Sequence, residues 1–141
     1  MICSVSGDLR MLWSRWTAGS DSETVNDVFV AVTMFRARRR RDMPGILWSG
    51  HLLQRRWAEL PGSIGVWTWL DLRHNCTGSV SVWREESDMR AFVRWKPHVE
   101  IVSRHRQAGK MTSSSWTSPQ LTRRAIRFSA EGLLTTWIAQ G

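Results

Sequence analysis

The chain has 141 residues, 42% hydrophobic and 23% charged, the size and balance of one globular domain with a core of its own. Its two cysteines, Cys3 and Cys76, lie far apart with no Cys-x-x-Cys pair, which excludes a thiolate zinc site and leaves a Cys3–Cys76 disulfide optional. The net charge of +8 favours an anionic partner without choosing between nucleic acid, membrane surface and small molecule.

Asp8, Arg10 and Arg15 interrupt the N-terminus, so no secretory signal is expected there. No apolar run reaches the length of about 18 residues that a membrane helix needs, and a reduced, cytoplasmic protein is the expectation. Residues 1–26 read as an N-terminal extension. Within it Leu9 to Trp16 has the apolar content for a short helix or an extra strand, and 18–22 has loop composition.

The pattern sharpens at Val28. Val28 to Phe35 is β-branched and aromatic, which predicts a strand. Val28, Val30, Val32 and Met34 form one face; Phe29, Ala31, Thr33 and Phe35 form the other. A strand with one wet face alternates apolar with polar residues. This one does not, so both of its faces are expected to be covered.

Five arginines between Arg36 and Arg41 lead to Asp42-Met43-Pro44, an expected N-cap and first turn. The helix that follows is predicted to run to about Leu60, with Ile46, Leu53, Trp57 and Leu60 along one stripe, before Pro61-Gly62 ends it. Ser63 to Leu72 and Gly78 to Trp83 are predicted as two strands of an antiparallel hairpin, joined by a turn over 73–77. A second helical region is expected from Ser87-Asp88, broken near Trp95 by Pro97 and resuming to Ala108-Gly109. Lys110 to Thr117 is a weaker strand, in which Ser114 and Ser115 fit poorly. The tail is expected to hold a polar link with Arg123, Arg124 and Arg127, then a helix over 129–139.

Strand, helix, strand, strand, helix, strand is the order of the ferredoxin-like α+β unit, an antiparallel sheet with both helices on one face. The open face is expected to be covered by a second copy of the chain, as a homodimer, with the C-terminal helix as the competing cover. The domain is assigned to 27–117 and the C-terminal extension to 118–141.

Three stretches give the chain a family resemblance: Leu60-Pro61-Gly62-Ser63-Ile64-Gly65, Ser79-Val80-Ser81-Val82-Trp83-Arg84, and Met89-Arg90-Ala91-Phe92-Val93 followed by Pro97-His98. Together they resemble the dimeric α/β-barrel superfamily that includes antibiotic-biosynthesis monooxygenases, nearest its spheroidene-monooxygenase-like branch. The resemblance covers roughly 27–117. It implies a cofactor-free oxygenase acting on a small aromatic or polycyclic molecule or, in other members, haem binding. Some members use a pocket Tyr, which this chain lacks.

His98 is the residue singled out for chemistry. At the break after Pro97, an imidazole could act as general base on an acidic phenol or enol, ligate haem iron, or cap the broken helix. His105 is the alternative haem ligand or a solvated residue among Arg104 and Arg106; His51 reads as packing and His74 as an exposed turn residue. Four scattered histidines make a weak metal signal, and no metal is expected. Trp67, Trp69 and Trp83 are candidates to wall an aromatic substrate or to form a dimer core. Arg84 is a candidate for a substrate carboxylate or a surface pair with Glu85 or Glu86. The arginines of 36–41 and 123–127 supply a third function, a non-enzymatic anion-binding module; without a recognition motif nucleic acid is not the expected partner. Gly-x-Gly-x-x-Gly, P-loop and Gly-x-Ser-x-Gly patterns are absent from the sequence.

Overall fold

The computed structural model describes residues 11–21, 26–119 and 122–141. Cys3, and with it any Cys3–Cys76 disulfide, lies outside the described residues. The strands are β1 (Met11–Trp13), β2 (Thr17–Ala18), β3 (Val28–Ala37), β4 (Ser63–Asp71), β5 (Cys76–Trp83) and β6 (Gly109–Ser118). The helices are α1 (Met43–Arg55), α2 (Glu86–Arg94), α3 (Lys96–His105) and α4 (Arg123–Gln140). Among the described residues, no helix is long and apolar enough to cross a membrane.

All six strands form one antiparallel sheet in the order β1-β4-β5-β3-β6, with β2 also on the outer edge of β4. Without β1 and β2 this is the ferredoxin-like sheet that the element order predicts. The Leu9–Trp16 stretch supplies an extra strand, β1, rather than a helix. The central hairpin turn covers 72–75 rather than the expected 73–77: β4 ends one residue early at Asp71, β5 begins two residues early at Cys76, and these two residues pair. Gly62, at φ +76°, makes the turn into β4 in a conformation that side chains disfavour.

β3 is buried on both faces, and the two covers differ. Val28, Val30, Val32 and Met34 pack with Ile126, Ala130, Leu134 and Ile138 of α4. Phe29, Phe35 and Ala37 face the side of α1 and α2. The face assigned to a second copy is therefore filled by the chain's own C-terminal helix. Ile126, Ala130, Leu134 and Ile138 recur every fourth residue, so one stripe of α4 lies along the sheet. This helix starts at Arg123, six residues before the expected point, and takes in the arginines read as a link. Its C-terminal carbonyls at Trp137 and Ile138 accept hydrogen bonds from Arg36 at 3.4 and 3.0 Å. A cation there satisfies orphan carbonyls and opposes the negative end of the helix dipole.

The N-terminal segment is bound to the same assembly. Trp13 and Trp16 meet Trp67 edge-on, and the guanidinium groups of Arg127 and Arg123 lie 4.5 and 5.2 Å from the centroids of Trp13 and Trp16. Gly65 makes this possible: a Cβ there would run into the Trp16 ring.

Two helix starts differ from expectation. Asp42 sits in a 3-10 turn (Arg40–Asp42) with helical φ and ψ, so its side chain does not cap α1. α2 begins after Glu85 rather than at Ser87-Asp88. The break expected from Pro97 is present, with Trp95 extended between α2 and α3.

Candidate functional site

Between the sheet and α2 lies an aromatic cluster. Trp83, at the end of β5, projects onto the face opposite α4 and is completely buried. Trp57 comes from the 3-10 turn after α1 (Trp57–Glu59), tied down by Ser63, whose Oγ lies 2.9 Å from the Trp57 carbonyl. Phe92 on α2 touches both, with ring centroids 5.0 Å from Trp57 and 5.4 Å from Trp83; Trp57 and Trp83 are 5.2 Å apart. Such separations fall in the favourable range for tilted and edge-to-face pairs.

His98 rests on the outer side of this cluster, its ring centroid 4.5 Å from that of Phe92. Its Nδ1 lies 3.1 Å from the carbonyl oxygen of Val93. A carbonyl only accepts, so Nδ1 carries the proton and donates. Val93 is in the last turn of α2, where carbonyls lack helical partners. His98 thus caps the broken helix, and the cap sets its tautomer: in the neutral ring the lone pair is on Nε2. Burial pushes the imidazole below its ordinary value, partly offset by the bond to Val93. The neutral form is favoured at neutral pH.

Two further groups belong to this neighbourhood. Trp95 lies 6.2 Å from Phe92 and is covered by the Arg56 guanidinium at 4.7 Å, which also bonds Glu59 at 3.2 Å. Trp57 is 4% exposed, and its Nε1–H is buried without an acceptor among the described residues. Trp83 Nε1 by contrast donates to Ser81 Oγ at 3.0 Å, and Trp69 Nε1 to the Thr33 carbonyl at 3.3 Å. An unpaired buried N–H costs about 1–3 kcal/mol, so Trp57 holds unused donor capacity beside the cluster. Trp57, Trp95 and Arg56 were not among the sequence candidates. The sequence places Trp57 in the stripe of a helix and Trp95 at the break that Pro97 imposes.

The structure divides the sequence candidates. Trp67 and Trp69 face α4, on the opposite side of the sheet from Trp83 and His98. β4 pairs antiparallel with β5, and Trp67 and Trp69 stand opposite Val80 and Gly78, whereas Trp83 belongs to the other set. One wall made of all three is therefore not present, because alternate residues leave opposite faces. Arg84 pairs with Asp21 at 2.9 Å rather than with Glu85 or Glu86. His105 is not simply solvated: its Nε2 lies 2.9 Å from Oγ of the buried Ser49, joining α3 to α1. His74 bonds the Asp71 carboxylate at 3.0 Å, and His51 is exposed against Trp48. Of the proposed anion-binding arginines, Arg36, Arg123 and Arg127 are engaged within the fold. Cys76 is buried, which pushes its thiol up despite the opposing pull of Arg36. Among the described residues no cluster of three or more His, Cys, Asp or Glu is placed to hold a metal ion. A surface depression of about 330 Å³ borders Met89, Arg90 and Val93 on the outer side of α2, and a second of similar size borders Arg38, Arg39 and Asp42.

No family model matches the chain, and no curated protein matches its sequence. Solved structures do match in shape. A ferredoxin-fold protein related to antibiotic-biosynthesis monooxygenases from Listeria monocytogenes superposes with a TM-score of 0.53 at 17% identity, over 65% of this chain and 57% of that one. The chain shares the fold of that group. The cofactor-independent oxygenase SnoaB from Streptomyces nogalater gives 0.52 at 14% identity, over 70% of this chain and 98% of that one. The haem-degrading enzyme LmHde from Listeria monocytogenes gives 0.56 at 14% identity, over 77% and 70%. At these identities the likeness is one of fold.

Proposed function

We propose that this chain is a monooxygenase-like oxidoreductase that acts without a cofactor on a small, acidic aromatic or polycyclic substrate, with His98 as the general base. The observation that carries the reading is the state of His98: neutral, with its Nδ1 proton committed to Val93 and Nε2 left as the basic atom. A flat substrate stacks on Trp95 and Phe92, with Trp83 supporting them from beneath, and the Arg56 cation favours an anion at that surface. His98 Nε2 removes a proton from an acidic phenol or enol, and the resulting electron-rich anion is the species oxidised by O2. In balance, one substrate methylene and one O2 give one carbonyl and one water. Arg84 would bind a substrate carboxylate only by leaving Asp21, and Trp67 and Trp69 serve the core.

Two features weigh against the haem alternative. Nε2 of His105 is already paired with Ser49. Beside His98, the rings of Trp57, Trp83 and Phe92 pack on one another where a porphyrin slot would be needed.

The test is oxygen uptake by the purified chain with a panel of acidic polycyclic phenols. Uptake that His98→Ala abolishes and Trp67→Phe leaves intact is expected. Uptake unchanged in His98→Ala would remove the site, and neither uptake nor tryptophan quenching across the panel would remove the reading. Haem titration is expected to give no Soret shift dependent on His98.

A further inference from the structure

One end of the molecule gathers cations that the fold does not neutralise. Arg38 and Arg39 follow β3, Arg40 and Arg41 lie in the 3-10 turn ahead of α1, and Arg104 and Arg106 flank the end of α3. Backbone pairing sets these segments side by side: Arg38 N–H donates to the Ala108 carbonyl at 2.8 Å. The bond between His105 and Ser49 holds the end of α3 against α1. Buried Ala37 and Met43 fix the two ends of the arginine segment. All six arginines are exposed, and among the described residues none of them makes an ion pair, whereas Arg56, Arg84, Arg90 and Arg127 each pair with a carboxylate. Like charges held together on an ordered frame repel, and an anion relieves that repulsion.

The second depression, of about 330 Å³, runs between the two segments, with Arg38, Arg39 and Asp42 on one side and Gln107 and Ala108 on the other. One small anion there would engage only part of the row, which continues to Arg41 and α1. Trp48 comes about two helical turns after Arg41, on roughly the same side of α1. Of the ten tryptophans it alone is largely exposed, at 60%, with the His51 ring 5.6 Å from its own. Cations in a row beside an open indole suit a strand of unpaired nucleotides: guanidinium groups take the phosphates, and the aromatic ring takes a base.

We infer that this end of the molecule binds single-stranded nucleic acid, through phosphate contacts to Arg38, Arg39, Arg104 and Arg106 and a base stacked on Trp48. This mode needs no recognition motif, because phosphate contacts and stacking are indifferent to sequence. A membrane surface would also meet the charge, but the borders of the depression offer no large apolar side chain to insert. The inference does not rest on the reaction proposed for His98.

The experiment is fluorescence anisotropy of a labelled oligouridylate, about 12 nucleotides long, titrated with the full chain at successive salt concentrations. The wild type is expected to bind at low salt, with partial quenching of its tryptophan emission. Its log K should fall by about 0.7 per phosphate contact for each unit of log salt. Arg38→Glu combined with Arg39→Glu, and Arg106→Glu by itself, should each weaken binding at least about tenfold. Trp48→Ala should weaken it about fivefold or more and remove the quenching. Arg124→Glu, exposed on α4 across the sheet, alters the net charge as much as Arg106→Glu does and should bind like the wild type. A wild type that does not bind at low salt, charge-reversed variants that bind like it, an equal loss in Arg124→Glu, or quenching that survives Trp48→Ala would each overturn the inference. Tighter binding to phosphatidylserine vesicles than to the oligonucleotide would also overturn it, in favour of a membrane. Circular dichroism checks the fold of each variant, and Arg38→Lys combined with Arg39→Lys should keep most of the binding.

Discussion

The two faces of the sheet are sealed by different chemistry. On the α4 face, aliphatic residues of β3 and β5 meet a helix stripe of Ile126, Ala130, Leu134 and Ile138; Trp67 and Trp69 lie among them, and the indole of Trp69 finds an acceptor. On the α2 face the packing is aromatic. It includes the Trp57 indole donor, which has no acceptor among the described residues, and ends at an imidazole whose ring is only half-buried. The first arrangement maximises burial with polar groups satisfied, as a purely structural layer should. The second leaves polar capacity unused in an apolar setting, which is where unusual chemistry is expected. The contrast teaches that the tryptophans of this chain do not form one class: Trp67 and Trp69 pack on the side of α4, Trp57, Trp83 and Trp95 on the side of His98.

The sharpest way to break this contrast is at Leu134, fully buried under α4. Leu134→Ala should destabilise the chain by about 2–5 kcal/mol, read from the urea midpoint. A loss well under that range would mean α4 is a loosely held appendage. Arg36→Ala should cost about 1 kcal/mol by freeing the last carbonyls of α4, with faster hydrogen exchange confined to the end of that helix; uniform exchange across the sheet would argue against the cap.

On the other face the expected effects are smaller. Trp57→Phe removes an unsatisfied donor while keeping most of the ring, so stability should change by less than about 1 kcal/mol in either direction, in contrast to Leu134→Ala. A large loss would show that the indole N–H has a partner. The effect of pH comes last. The folded-state pKa values of His98 and His105 are both depressed. Between the folded and unfolded values the unfolded chain binds more protons, so stability is full above the unfolded value of about 6.5 and falls as pH drops through that window. His98→Gln should flatten part of this acid limb in urea titrations at successive pH values. An unaltered slope would mean His98 is as easily protonated folded as unfolded.

Much of the fold was legible in local pattern. The double apolar faces of Val28 to Phe35 announced a strand with two covers, and the structure has them. The alternation around Val80 and Val82, and the Pro97 break, likewise followed from period and backbone chemistry. The candidate site was legible only in part. His98 could be named because Pro97 opens the helix beside it, but its tautomer depends on the Val93 carbonyl, which only the bent backbone brings within reach. Nothing local in the sequence says that Trp57, after one helix, and Trp95, between two others, meet at Phe92.

Between Val28 and Thr117 the sequence by itself determined which segments are strands and helices and in what order, because these depend on side-chain period, β-branching and proline over a few residues. It also determined that the central strand must be dry on both faces. What covers that strand was decided by the tertiary structure. A helix stripe repeating every fourth residue and a second subunit's sheet present equally apolar surfaces, and only three-dimensional placement selects α4. The same placement separates Trp67 and Trp69 from Trp83, since a pleated strand sends neighbouring side chains to opposite sides and the partners on each side come from distant parts of the chain.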